Sequence, residues 1–165
     1  MTAKEALLAS TPATLTPAEL AGRIRSAYGD ITFVVDDDFF WSAGDEQLHY
    51  RPAETAEDIW CLLHEIGHAR LKHADYTTDV ELLGHEVDAW EWARKAAGRF
   101  GVALDDDFIQ DQLDTYRFWL HARSRCPDCQ QTGLQHPGGH YACLNCPATW
   151  HANDARRRRL QRTRL

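Results

Sequence analysis

Two histidines four residues apart, His64 and His68, enclose a glutamate in the segment H-E-I-G-H. On a helix, residues at this spacing project from one face, so both imidazoles can bind one Zn²⁺. Glu65 can then act on a water molecule at the metal, as in metallohydrolases. The surrounding residues are apolar, as in a helix buried beneath a cleft: Trp60, Leu62, Leu63, Ile66 and Leu71. The alternative is a helix with two incidental histidines and a salt-bridged Glu65.

A third metal ligand must come from outside this segment, because two imidazoles do not complete a catalytic zinc site. The longer metzincin pattern would require Gly at position 71 and His at position 74, and Leu71 and Ala74 exclude it. The helix predicted next along the chain offers three candidates: His85, Glu86 and Asp88.

Helical phase separates the two carboxylates. At about 100° per residue, Glu86 falls on an apolar stripe and Asp88 falls on a polar face. The apolar members of the stripe are Leu82, Ala89, Ala93, Ala96, Ala97 and Phe100. A buried carboxylate needs a partner, and we expect a metal ion for Glu86, with an ion pair to Arg70 or Arg94 as the alternative. Two further histidines are expected to flank the site or face solvent: His73 and His85.

A family resemblance rests on these motifs. H-E-I-G-H-A-R-L-K-H at 64–73, followed by E-V-D-A-W-E-W-A at 86–93, resembles the ImmA/IrrE family of compact gluzincin metallopeptidases. Members typically read H-E-L-G-H-x-x-L-x-H and then E-x-x-A-[DN]-x-F-A, and the resemblance covers about residues 17–100. It implies a zincin-like fold, with His64, His68 and Glu86 as zinc ligands and Glu65 as the general base of peptide hydrolysis.

The chain departs from the family pattern at two positions. Trp92 replaces Phe, and Trp90 stands where the family has an Asp or Asn that orients a zinc-bound imidazole. Loss of such a partner typically lowers metal affinity or activity about 10- to 100-fold. Three carboxylates are candidates to substitute for it: Asp58, Asp111 and Asp114. Three side chains are candidates to stabilise the oxyanion: Arg70, Tyr76 and Tyr116.

Four of the five cysteines form two C-x-x-C pairs, Cys126 with Cys129 and Cys143 with Cys146. The 13 residues between the pairs contain a Pro-Gly-Gly turn. Four thiolates satisfy tetrahedral Zn²⁺ and leave no open position, so the spacing predicts a zinc ribbon with a structural zinc. Cys61, inside a predicted helix, is expected to be buried and inert. The chain is therefore expected to bind two Zn²⁺ ions, one catalytic and one structural.

Charge is divided unevenly along the chain, whose net charge is −7. Residues 1–120 hold 10 basic and 23 acidic side chains, whereas residues 121–165 hold 8 basic and 2 acidic ones. The basic excess follows the cysteines: Arg156, Arg157, Arg158, Arg159, Arg162 and Arg164. Such a cluster behind a zinc ribbon predicts contact with nucleic-acid phosphates, and a solvated tail or one docked on the acidic body is the alternative.

The elements that must position these residues follow from periodicity and capping signals. We expect helices at 17–27, 55–73, 80–100 and 106–123, and strands at 31–35 and 47–51 joined by an acidic loop. The order predicts an α+β fold, with a small sheet packed on the helices that contain the metal ligands. We divide the chain into a flexible arm (1–16), a zincin-like metallopeptidase domain (17–124), a zinc ribbon (125–151) and a basic tail (152–165).

Composition excludes several classes of protein. With 44% hydrophobic residues the chain can bury a core and is not expected to be disordered. Its apolar runs are far shorter than the roughly 18 residues that a membrane span needs, so no membrane contact is expected. The first residues lack the apolar stretch of a secretory signal, and we expect a cytoplasmic protein.

Together these observations favour a zinc-dependent endopeptidase whose ribbon directs it to a protein substrate. The resemblance implies a phage, mobile-element or stress-response setting, with a repressor or another DNA-bound protein as substrate. A SprT-like protease also pairs H-E-x-x-H with a ribbon, but its third ligand is a histidine, and Glu86 argues against it. A catalytically silent zinc scaffold that binds DNA or protein is the alternative from another class, favoured by Trp90 and opposed by the intact Glu65.

Overall fold

The computed structural model describes residues 15–154 and 159–165, and it is a mixed α+β structure. Most of the predicted flexible arm (residues 1–14) and three of the basic residues, Arg156, Arg157 and Arg158, lie outside the described residues. We call residues 15–124 the helical unit and the described residues after 124 the cysteine unit.

The helical unit begins with α1 (Pro17–Ala27), whose start is set by a capping box. The Thr16 hydroxyl accepts from the backbone N–H of Glu19, and the Glu19 carboxylate accepts from the backbone N–H of Thr16. Proline at the first helical position is compatible with this geometry because its missing N–H has no partner there. The predicted bounds of this helix are confirmed.

Three short strands follow: β1 (Thr32–Val35), β2 (Phe40–Ser42) and β3 (Gln47–Tyr50). Their order in the sheet is β1-β3-β2, with β1 parallel and β2 antiparallel to β3. The prediction of a loop between two strands is wrong at β2. A strand of three residues between Asp-rich and Gly-containing turns is too short to show the alternation of polar and apolar residues that indicates a strand. Its extended conformation depends on pairing with β3.

Two helices form the centre of the unit, α2 (Ala56–Leu71) and α3 (Asp79–Ala97). Thr55 and Asp58 form a capping box on α2, and the Thr78 hydroxyl caps α3. The helices approach closely at Gly67, where a Cβ atom would lie 2.7 Å from the carbonyl oxygen of Ala89. Glycine at this position therefore sets the distance between the two helices.

The chain then leaves α3 through a short 3₁₀ turn and Gly101, whose φ of 70° is left-handed, and enters α4 (Asp106–Ser124). The core of the helical unit is built from α1, β3, α2, α3 and α4. Its fully buried side chains include Ile24, Leu48, Ile59, Leu62, Leu63, Ile66 and Ile109. None of the helices in the described ranges combines the length and apolar character needed to span a membrane.

The cysteine unit is an antiparallel sheet in the order β4-β5-β6-β7, formed by β4 (Gly133–Gln135), β5 (His140–Cys143), β6 (Thr149–Ala152) and β7 (Arg162–Arg164). β7 lies in the predicted basic tail and extends the sheet, because Arg162 and Arg164 pair with Ala152 and Trp150. Sequence pattern did not reveal β7, because a three-residue strand among arginines is identified by its partner strand and not by its own periodicity.

Candidate metal centres

Two imidazoles from α2 meet at one point. The Nε2 atoms of His64 and His68 lie 3.0 Å apart, and the rings are nearly perpendicular. Both residues are buried, with 6% and 9% of their surface exposed. The i, i+4 spacing on a helix thus aims both nitrogens at the same space, as predicted.

Glu86 of α3 completes this group. Its carboxylate oxygens lie 3.1 Å from Nε2 of His64 and 3.6 Å from Nε2 of His68, and the residue is buried. Burial would raise the pKa of Glu86, but the two imidazoles outweigh it and hold the pKa well below its usual range. Asp88 is exposed. The helical phase therefore placed the two carboxylates on the correct faces.

The alternative of an ion pair between Glu86 and an arginine does not fit. Arg70 forms a bidentate pair with Asp30, at 2.6 and 2.7 Å, and Arg94 pairs with Asp106. Both guanidinium groups are thus engaged elsewhere. The donor set also has metal-site dimensions, because nitrogen and oxygen ligands of a tetrahedral Zn²⁺ lie about 3.3 Å apart. We call His64, His68 and Glu86 the His/Glu site.

Glu65 lies beside this site, and a carboxylate oxygen of Glu65 also lies within 4.8 Å of ligand atoms of His64 and His68. Its Oε1 is 3.8 Å from Nε2 of His64, while its Oε2 accepts a hydrogen bond of 2.8 Å from the backbone N–H of Trp41 in β2. Burial raises the pKa of Glu65, and the nearby Glu86 adds to this, against the opposing effect of the imidazoles and the Trp41 N–H. A carboxylate with a raised pKa is a suitable proton acceptor and donor.

The outer nitrogens of the two imidazoles have different surroundings. Nδ1 of His64 is buried with no hydrogen-bond partner in the described structure, and Trp90 stacks on the ring at a centroid distance of 4.2 Å. The three carboxylates expected to substitute for the family Asp or Asn lie elsewhere. Asp58 caps α2 and pairs with Arg51, Asp114 pairs with Arg117, and Asp111 is exposed.

His68 does have a partner, which motif analysis did not identify. Its Nδ1 lies 2.9 Å from Nδ1 of His73, whose ring stacks on His85 at 4.3 Å and whose carbonyl accepts from the Trp41 indole. Burial, followed by the neighbouring His68 and His85, lowers the pKa of His73 to about 4. His73 and His85 flank the site, as expected. The spacing of His73 from His68 is the signal that could have indicated this contact.

A cleft of about 1060 Å³ opens over the His/Glu site. Its walls come from five regions: the residues around β2, α2 with the following loop, α3, Tyr116 of α4, and Asn153 with Asp154 of the cysteine unit. Of the candidate oxyanion donors, Tyr116 of α4 lines the cleft, whereas Arg70 is paired with Asp30. The presence of the cysteine unit in this wall was not predicted.

The four cysteines of the C-x-x-C pairs also meet at one point, with their sulfur atoms within 4.8 Å of one another. Sγ of Cys126 lies 3.6 Å from that of Cys146, and Sγ of Cys129 lies 3.4 Å from that of Cys143. Thiolates around a tetrahedral Zn²⁺ lie about 3.8 Å apart, so the four could bind a metal ion. We call this group the four-cysteine site. Cys61 lies apart from it, and burial raises the pKa of its thiol to about 12.

The described arginines of the predicted basic tail make contacts within the cysteine unit. Arg162 donates to the carbonyl oxygen of Arg125 at 2.7 Å, and Arg164 pairs with Asp128. Two of the charges expected to face nucleic acid are therefore partly engaged by their own unit.

Comparisons of the chain with protein-family models, with curated proteins and with solved structures found no match. Membership of the ImmA/IrrE family therefore stays a prediction. The function of the chain has to be inferred from the geometry of the two centres.

Proposed function

We propose that the chain is a zinc-dependent endopeptidase whose catalytic centre is the His/Glu site. One observation carries the proposal. Three buried donor groups converge from two helices, with the carboxylate of Glu65 beside them and an open cleft above. Three ligands, an adjacent carboxylate and access for substrate are the parts of a hydrolytic zinc centre.

The residues of the chain have distinct roles in this proposal. When bound, Zn²⁺ supplies Lewis-acid polarisation and lowers the pKa of water. Glu65 accepts a proton at Oε1 from the water that attacks the peptide carbonyl, and later returns it to the leaving amine nitrogen. The Trp41 N–H donates a hydrogen bond to Oε2 of Glu65. This bond fixes the orientation of the carboxylate group, so that Oε1 faces the attacking water.

The position of β2 supports a peptide substrate. β2 is an edge strand of its sheet, and the Trp41 N–H points away from β3 toward Glu65. An extended polypeptide that binds along this edge, in the manner of strand addition, would lie in the cleft that Trp41 shares with His68 and Glu86. Such recognition suits protein substrates such as repressors or other DNA-associated regulators. It also agrees with the zincin-like fold and the activity that the resemblance to the ImmA/IrrE family implies.

The test is the substitution Glu65→Gln, which preserves shape but cannot accept a proton. Peptide hydrolysis should fall by at least about 10²-fold, the lower end of the effect of general base catalysis, while metal content stays unchanged. The probe is a library of unmodified peptides from a digested proteome, read by mass spectrometry with and without a chelator. Asp88→Asn on the exposed face of α3 is the control. Equal cleavage by the Glu65→Gln variant would overturn the proposal.

A catalytically silent scaffold is the second candidate, and one observation favours it. Nδ1 of His64, which lies beneath Trp90, has no hydrogen-bond partner among the described residues, whereas the outer nitrogen of a catalytic zinc ligand normally donates to a carboxylate or carbonyl. The same experiment separates the two candidates, because a scaffold would bind metal and leave every peptide intact. The third donor, Glu86, continues to argue against a SprT-like centre with three histidines.

A further inference from the structure

A buried ion pair joins the two units. Asp79, at the first position of α3, is 2% exposed, and Arg123, near the end of α4, is 8% exposed. The Nε and Nη2 atoms of Arg123 donate to the Asp79 carboxylate at 2.5 and 3.1 Å. Two charges this deeply buried are stabilised by each other and by further hydrogen bonds.

The further hydrogen bonds come from the cysteine unit. The Tyr141 hydroxyl of β5 donates to the Asp79 carboxylate, and Gln135 of β4 accepts from the Asp79 backbone N–H at 2.6 Å. Arg123 in turn donates to the carbonyl oxygens of Ala152 and Asn153. We call Asp79, Arg123, Tyr141 and Gln135 the junction. Each charge of the pair is satisfied jointly by both units.

The junction is continuous with the four-cysteine site. Trp150 is fully buried, stacks on Tyr141 at 5.5 Å, and donates from its indole N–H to the carbonyl of Arg123 at 3.0 Å. Cys126, Tyr141 and Trp150 are the buried core of the cysteine unit. A core of three side chains does not hold such a unit together without a metal ion.

The junction is also continuous with the His/Glu site. Asp79 and Glu86 lie seven residues apart on α3, two helical turns or about 10 Å along the same face. On the other side, Asn153, whose carbonyl Arg123 holds, lines the cleft above Glu86. The start of the helix that presents Glu86 is therefore anchored by the cysteine unit.

We propose that Asp79 is a positioning residue through which metal binding at the four-cysteine site strengthens metal binding at the His/Glu site. When the four-cysteine site is empty, the cysteine unit loosens and withdraws the hydroxyl and amide that satisfy Asp79. The buried carboxylate is then left with fewer partners, the first turns of α3 fray, and Glu86 is held less firmly. The inference depends on the proposed function only in taking the His/Glu site as a metal site.

The test measures the affinity of the His/Glu site for Zn²⁺ in the full chain by competition with a chelator. The double substitution Cys126→Ser and Cys129→Ser should lower this affinity about 5- to 150-fold, the usual range of coupling between two sites. Leu144→Ser, which places a serine at an exposed position of the cysteine unit and keeps all four thiolates, is the control and should leave the affinity unchanged. Unchanged affinity in a folded double variant would overturn the proposal.

A second variant decides the question if the double variant does not fold. Tyr141→Phe keeps all four thiolates and removes the hydroxyl that donates to Asp79, so Zn²⁺ affinity should fall about fivefold, the lower end of that range. Tyr28→Phe is the matched control, because the buried Tyr28 hydroxyl has no partner in the described structure. Equal affinities in these two variants would overturn the coupling. Failure of the proposed function appears differently, as intact peptides with metal binding unchanged.

Discussion

The two candidate metal centres are held by their surroundings in different ways. The ligands of the His/Glu site project from two long helices that pack on a large core, and the helix crossing at Gly67 sets their separation. The ligands of the four-cysteine site lie on short turns beside a core of three side chains. The packed core of the helical unit therefore positions the donors of the His/Glu site. In the cysteine unit, by contrast, metal binding at the four-cysteine site is expected to stabilise the fold.

The two candidate sites also differ in how many positions their donors leave open around a metal ion. In the His/Glu site, His68, Glu86 and the adjacent Glu65 line a cleft, an arrangement that leaves room for water and substrate. Four thiolates close the coordination sphere of a tetrahedral metal and leave no room for chemistry.

Metal removal should have the largest effect and should act mainly on one unit. Structural zinc contributes roughly 10–16 kcal/mol of apparent binding free energy in small zinc domains, so a chelator should unfold the cysteine unit. In amide hydrogen exchange, β4 to β7 and the first turn of α3 should lose protection, while the centre of α2 keeps it. Equal loss of protection in both units would contradict the comparison.

Ligand substitution should sharpen the comparison at the His/Glu site. Glu86→Ala should abolish stoichiometric metal binding there, with a loss exceeding the about 10- to 100-fold that follows loss of a supporting hydrogen bond. Asp88→Ala, two residues away and exposed, should retain the metal. Elemental analysis of both variants is the measurement, and because the four-cysteine site is untouched, the Glu86 variant should keep one metal ion. Two ions in both variants would show that Glu86 is not a ligand.

Close helix packing predicts the next effect. Gly67→Ala would bring a Cβ against the backbone of Ala89, so urea unfolding should show a loss of about 1–3 kcal/mol. Gly84→Ala in α3 is the control, because a Cβ there meets nothing within 4 Å. That variant should gain roughly 0.5–1 kcal/mol from helix propensity. Equal stability of the two variants would show that the helices are not held at this crossing.

The smallest effect should appear in acid. Burial would raise the pKa of Asp58, but the backbone N–H groups of Glu54 and Thr55 and the Arg51 guanidinium outweigh it and keep the pKa below its usual range. Its contribution to stability is then fully present above the unfolded pKa of about 3.9 and is lost as the pH falls through the lower folded pKa.

The measurement compares Asp58→Asn with the wild type by urea unfolding of the helical unit at pH 7 and at successively lower pH. The difference in the free energy of unfolding should be largest near neutral pH and should shrink below about pH 4. Asp88→Asn, an exposed substitution on α3, serves as the control. A difference that stays constant down to the lowest pH would assign the effect of Asp58 to packing alone.

Helix bounds were predicted well because their signals are local. The capping boxes of Thr16 and Thr55 act over three residues, and all four helices begin within one residue of the expected position. The strands β2 and β7 were missed, because each consists of three residues that become a strand by pairing with a neighbour. The carboxylates proposed to support His64 lie elsewhere, since a buried partner is selected by packing and not by residue type.

The sequence by itself determined which donor groups come together in each candidate centre. Histidines spaced by one helical turn share a face of the helix, so the two imidazoles converge without a distant contact. Cysteines in a C-x-x-C pair lie on one turn, so the two sulfurs of each pair also converge locally. The phase of α3 likewise placed Glu86 on the buried face.

The tertiary structure alone decided how these groups meet. The crossing of α2 and α3 brings Glu86 to the histidines, β2 brings an N–H to Glu65, and the junction joins Asp79 to Arg123, 44 residues later in the chain. Such contacts depend on how whole elements pack, which involves the shape of every side chain between them. Local periodicity predicts which face a residue occupies, and packing decides what that face meets.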